Sequence, residues 1–271
     1  MDERVKYRPF TGDAERSVKL QQTPLALVLC QVRWPEMSFL RDEALEKLAD
    51  RLGQEFEDYP VVSRADEVAY SFGPQGVTHM VAGKVFQWAS VDQTWHISLA
   101  RRFVTFHCTE YPGYVEFNRR LYAVLSSVRD LVGVPLIDRV GMRYVNRMSD
   151  PNVDGLLSFV RPEVLGFRGI GVESPEVILQ GSINQATYTV GDATLQVRSG
   201  ITGPGETVDP SIPPLPTQSW VLDLDAAIER RAPFDVDAII GSASHLADVD
   251  YDYFKYIIAD GFEDHFGKRD S

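Results

Sequence analysis

The chain has 271 residues, 44% hydrophobic, 11% aromatic and 24% charged, with a formal net charge of −12. A body of this size buries enough apolar surface to fold without disulfide or metal, and its composition excludes a disordered chain, collagen and a coiled coil. The acidity weighs against a general phosphate-backbone binder.

A polar arm (1–23) opens the chain without the charged, apolar and small-residue regions of a secretion signal, and no stretch approaches the roughly 18 apolar residues of a membrane span. The expectation is a cytoplasmic protein with no membrane association. Cys30 and Cys108 sit in apolar runs and read as reduced, buried thiols. The run PLALVLCQVRW (24–34) predicts a strand covered on both faces. SFLRDEALEKLADRL (38–52) carries an apolar stripe from Phe39 to Leu52, which predicts a helix with Ser38 as N-cap and Gly53 just past its end.

From 68 to 109 the period is two. VAYSFG is a short strand. KVFQWASVD and TWHISLA flank a turn at Asp92-Gln93, and FVTFHCTEY follows Arg101-Arg102, which predicts three consecutive antiparallel strands. In this register Leu99 faces Phe103 and His96 faces Phe106. His96 and His107 then point to opposite sheet faces, which disfavours a His–His couple; with His79, His245 and His265 they read as structural histidines. YVEFNRRLYAVLSSVRDLVG (114–133) predicts a long helix ending at Gly133.

The second half reads alike. IDRVGMRYVNRM (137–148) is a strand, a short helix lies near 153–165, and GFRGIG (166–171) is a turn. EVILQGSINQATYTV, ATLQVRS and SWVLDLD are strands, and 234–260 supplies one long or two abutting helices. The fold class is therefore α+β: antiparallel sheets with long helices packed on one face. Both halves, 24–133 and 134–271, read β-α-β-β-β-α, which leaves a duplication open without residue-level identity to carry it. GPGETVDPSIPPLP (203–216) has five prolines in fourteen residues and reads as a long exposed connection, with a polyproline II ligand as the alternative.

No nucleotide, hydrolase or zinc motif is present in the sequence, and no cofactor is expected. Asp223 and Asp225, at i and i+2 on a strand, are a weak metal candidate; with Trp220, Leu222 and Leu224 at the other parity, the simpler account is a half-buried strand with solvated Asp side chains. Charge is unevenly spread. Residues 84–147 hold nine Lys and Arg against five Asp and Glu, or +4, whereas 223–270 hold five against twelve, or −7, in an acidic C-terminal helix region. The cluster singled out as ligand- or partner-binding is Arg101, Arg102, Arg119, Arg120, Arg143 and Arg147, with Tyr144 beside it. If these side chains converge, they suit a phosphate, a carboxylate or an acidic partner; separate ion pairs with Glu116, Asp130 and Asp138 are the plainer account.

The run Arg139-Val140-Gly141-Met142-Arg143-Tyr144-Val145-Asn146-Arg147 completes this reading. Together with Pro24-Leu25, Tyr114, Phe117, Tyr253 and Phe254, it resembles a sporadically distributed, uncharacterised bacterial protein family carrying an R-[IV]-G-[LM]-R-Y-[IV]-N strand. The resemblance implies a bacterial cytoplasmic protein, on mobile or defence-associated loci, with no catalytic residues to carry over. The expected function is a non-enzymatic binding module whose partner is another protein. The alternative is an enzyme or sensor that binds a phosphorylated small molecule or nucleotide through the arginines. Direct nucleic-acid binding ranks below both, and the oligomeric state is open.

Overall fold

The structure, a computed structural model, describes residues 7–13, 15, 18, 20–73, 76–149, 153, 155–169 and 176–267, with only the backbone described over 67–82. The end of GFRGIG and the His79 side chain lie outside the described residues. The elements are β1 (Leu25–Arg33), α1 (Asp42–Glu55), β2 (Val61–Gly73), β3 (Gly76–Ala89), β4 (Trp95–Ala100), β5 (Phe103–Cys108), α2 (Tyr114–Val132) and β6 (Leu136–Ser149). Then come α3 (Leu156–Phe159), two 3₁₀ turns (Pro162–Val164 and Gly166–Gly169), β7 (Ser182–Val190), β8 (Ala193–Thr202), β9 (Ser219–Pro233), α4 (Val236–Ile257) and α5 (Asp260–Phe266). The class is α+β, with nine strands in one antiparallel sheet ordered β2-β3-β4-β5-β1-β6-β9-β8-β7. The second half keeps the expected β-α-β-β-β-α order, whereas four strands follow α1 in the first half.

The chain forms two compact units whose boundaries fall inside β1, β6, β9 and α4 rather than at residue 133. The first unit comprises Leu29–Gly141 and Glu229–Ala243. Its α1 starts at Asp42, three residues later than the stripe suggests, with Arg41 at the cap position and no side-chain cap. Ser38 is therefore not the N-cap: Leu40 is buried in a turn closed by its N–H to the Met37 carbonyl, and Phe39 faces out. Asp42 and Glu43 in the first turn suit the positive end of the helix dipole instead. Gly53 lies inside the helix because Trp88 packs there; a Cβ would stand 3.2 Å from the Trp88 Nε1. Helix α2 ends as read, with Gly133 left-handed at φ 69°. Its apolar face (Phe117, Leu121, Val124, Leu125, Val128) joins Trp88, Trp95, Ile97 and Phe106 in the core. Both thiols are free and buried, and burial pushes each up to about 12.

The sheet of this unit corrects one register. The β4–β5 turn holds two residues, Arg101 and Arg102, so Ala100 pairs with Phe103 and His96 with His107. The histidine rings stack on the same face, with centroids 4.5 Å apart. A one-residue slip in the expected register had sent them to opposite faces. The Asp92-Gln93 turn is present; Gln93 takes a positive φ of 60°, and Asp92 accepts hydrogen bonds from Ser90 Oγ, Thr94 N and Thr94 Oγ1. Strand β2 begins at Val61, seven residues before the alternating pattern, because 61–66 pair with 84–89.

The second unit comprises the residues up to Val28, Met142–Ile228 and those from Ser244 on. β7, β8 and β9 pair in register, Leu195 with Ala226 and with Tyr188. Trp220 is buried and donates its Nε1–H to the Val164 carbonyl, and Phe262 packs T-shaped on Phe254 and tilted on Phe266. The N-terminal arm is strapped to α4. The Asp252 carboxylate, fully buried, accepts the N–H groups of Phe10 and Thr11 and the Thr11 hydroxyl, and Lys255 donates to the Asp13 carbonyl. No described helix is long and apolar enough to cross a membrane.

Candidate functional site

Strand alternation puts Arg143 and Arg147 on one side of β6 and Tyr144 on the other. Arg143 grips Asp223 with two hydrogen bonds, Nε at 2.8 Å and Nη2 at 3.0 Å, and also donates to Asp209. Arg198, the cross-strand neighbour of Asp223, donates to the same carboxylate. Burial pulls the Arg143 guanidinium down, but the Asp223 hydrogen bonds and both carboxylate charges hold it above its ordinary value. Asp209 is held below the usual carboxylate range, where the Ser211 N–H and the Arg143 charge outweigh burial.

Asp223 is thus 1% exposed and doubly paired with guanidinium, not a solvated carboxylate. The strand is covered on both faces there, so alternation alone misleads. A cation shared with Asp225 would have to displace two guanidiniums, and among the described residues no group of three or more His, Cys, Asp or Glu is set to hold a metal.

The same arginines fix the proline-rich segment. Arg143 holds Asp209, Arg147 donates to the Pro213 carbonyl, Ile212 is buried, and the Thr207 hydroxyl bonds the Ile212 carbonyl. Residues 203–216 are a loop tied down onto β6, and Pro213 is engaged within the chain. The Arg139 guanidinium lies over Gly141, where an added Cβ would meet Nη1 at 2.5 Å.

The remaining arginines belong to the first unit. Arg101 pairs with Glu36 at 2.6 Å, and the Arg101 and Arg102 carbonyls accept the Trp34 side-chain and backbone N–H groups. Arg119 and Arg120 share Glu116: Arg119 makes two hydrogen bonds to it, and Arg120 Nε makes one at 2.6 Å. The two hydrogen-bonded guanidiniums, Arg119 first, bring Glu116 down to about 2. Arg120 stacks over Trp95 and reaches the Tyr59 hydroxyl at 3.5 Å. Burial raises the Tyr59 hydroxyl despite that contact. Beside them lies a cavity of ≈ 230 Å³ lined by Tyr59, Arg119, Arg120, Glu55, Glu57 and Asp58. The ion pairs expected with Glu116 and Asp130 are present, the latter from Arg129. Four of the six arginines are neutralised, in separate groups: Arg119 with Arg120, Arg101 alone, and Arg143 beside Arg198; Arg147 bonds the Pro213 carbonyl instead.

Residue-by-residue reading did not find the feature that stands open. β7 closes one end of the strand order and, among the described residues, pairs with β8 alone. Gln185 to Thr189 and Ile183 are exposed, and Val177 and Ile178 just before the strand are 59% and 71% exposed. No residue between Glu176 and Asp192 is charged. That fifteen-residue uncharged run in an acidic chain was the signal available. Its position at a sheet edge follows only from long-range pairing.

No protein-family model matches the sequence, and no curated protein matches it.

Proposed function

We propose that this chain is a non-enzymatic protein-interaction module that takes an extended segment of another polypeptide along β7. One observation carries the reading: a nine-residue edge strand, exposed and uncharged, offers its outward N–H and C=O groups. Strand addition to such an edge draws affinity from main-chain hydrogen bonds and specificity from alternate side chains. The acidic helix α4 does not compete for this role, since Asp252 holds the arm and Asp250 is buried. The bacterial cytoplasmic setting and the mobile or defence-associated locus are part of the proposal and rest on the resemblance carried by the β6 motif.

The test is selection of displayed extended peptides on the immobilised chain, with Gln185→Lys/Thr187→Lys/Thr189→Lys as the counter-target. Recovered peptides should be rich in β-branched and aromatic residues and bind the triple variant at least tenfold more weakly. Equal binding to both targets defeats the reading.

A second reading, an enzyme or sensor for a phosphorylated small molecule or nucleotide, draws on the cavity beside Tyr59, Arg119 and Arg120. Against it, Glu116 already neutralises both guanidiniums, and Glu55, Glu57 and Asp58 crowd the same walls. A ligand at 100 times its dissociation constant adds about 2.7 kcal/mol of stability. A nucleotide and sugar-phosphate panel should leave the melting temperature unmoved; a shift that disappears in Arg119→Ala would favour this second reading.

A further inference from the structure

We infer that the occupant of the β7 edge is a second copy of this chain, paired antiparallel through β7 about a two-fold axis. The inference rests on the edge-binding reading and names its partner. An isologous contact demands that a surface complement itself, and β7 meets that demand in charge and in side-chain character. Centred on Ala186, self-pairing sets Asn184 against Tyr188, Gln185 against Thr187 and Ile183 against Thr189. No pair brings like charges together; Gln185 with Thr187 and Ile183 with Thr189 are compatible polar and β-branched neighbours, while Asn184 and Tyr188 keep their contacts to Ser199, Phe10 and Tyr253 of their own chain.

Each copy carries −12, which favours contact through a neutral surface, and the uncharged run between Glu176 and Asp192 supplies one on this edge. A foreign strand selected by charge would find no counter-charge on β7. Val177 and Ile178, exposed beside the strand, add apolar area to the contact. The opposite edge could not substitute: β2 carries Arg64, Asp66 and Glu67, and its pairing is broken by a bulge at Glu67/Val68.

The experiment is sedimentation equilibrium of the full chain over a wide concentration range, with Ala186→Lys, Ala186→Glu and their equimolar mixture. Ala186 is exposed, so neither substitution disturbs the core, and circular dichroism checks that each variant folds. The wild type should dimerise with a dissociation constant on the order of micromolar, as suits a small interface. Each variant alone sets like charges opposite one another and should dimerise at least tenfold more weakly. The mixture should return to wild-type association. Backbone amides of β7 should gain hydrogen-exchange protection with concentration in the wild type.

A wild type that dimerises equally well in both variants, or a mixture that fails to recover, overturns the inference by placing the contact elsewhere. A wild type monomeric throughout also overturns it. If the selected peptides still bind such a monomer at β7, the interaction-module reading survives; if they do not, both fall.

Discussion

The two strands that end the sheet order are both long, and β2 over 61–66 is as exposed as β7, yet only one is guarded. β2 carries two acids and an arginine, and Arg64 is tied to Glu46 at 2.6 Å; a bulge interrupts its pairing. These are the ordinary means by which an edge avoids unwanted partners. β7 has neither a charge nor a bulge. Behind it the charge has moved inward: among the described residues, the fully buried Asp and Lys side chains (Asp223, Asp250, Asp252 and Lys255) all belong to the unit that contains β7. In one unit charge guards the surface; in the other it fastens the interior and leaves the edge neutral.

The strongest way to sharpen that contrast is Arg143→Ala. It removes the main partner of a buried carboxylate and frees the proline-rich loop, and breaking such a pair costs about 3–5 kcal/mol. Urea unfolding should register that loss, and hydrogen exchange should rise in β7–β9 before β2–β5. Uniform acceleration would show that the interior charges do not hold the β7 unit in particular.

Asp250 gives the next effect. It is 1% exposed with no hydrogen bond to either oxygen, and burial, then the charges of Asp225 and Asp223, raise its carboxyl well above the usual range. The folded chain keeps a proton that the unfolded chain releases near about 3.9, so this group costs stability as pH rises above that value. Asp250→Asn should therefore be more stable than wild type by about 1–3 kcal/mol at pH 8, with the gap closing toward pH 4. A gap independent of pH would contradict the assignment.

A smaller effect tests the guard on β2. In an Ala186→Lys background, Arg64→Thr with Asp66→Thr should create weak association, tens of micromolar or looser by order of magnitude. If the chain stays monomeric, Glu67 and the bulge are enough to protect that edge. The smallest expectation is for Arg119→Ala: an exposed helix pair contributes little, so the unfolding midpoint should not move.

Local pattern carried much of the fold. The apolar run of β1, the glycine stop of α2 and the turn at Asp92-Gln93 are short-range signals, and each element is where they point; the stripe of α1 locates that helix but misplaces both its ends. What failed depends on distance or on a single-residue count. The His96–His107 pair turned on whether the β4–β5 turn has two residues. Asp223 looked solvated because alternation cannot tell that β9 is covered on both faces. The six arginines share a stretch of sequence but are separated by topology, and each of Arg101, Arg119, Arg120 and Arg143 meets a carboxylate. The composition of β7 was legible; its lack of a second neighbour was not.

The tether between Phe10 and Asp252 joins positions 242 residues apart. During synthesis the arm leaves the ribosome well before the helix that receives it. That unit also draws strands from the middle of the chain, so its native contacts close last, while the other unit has most of its residues in one uninterrupted stretch. A ribosome stalled shortly before α4 would therefore display the β2–β5 body folded and the β7 body still unmade.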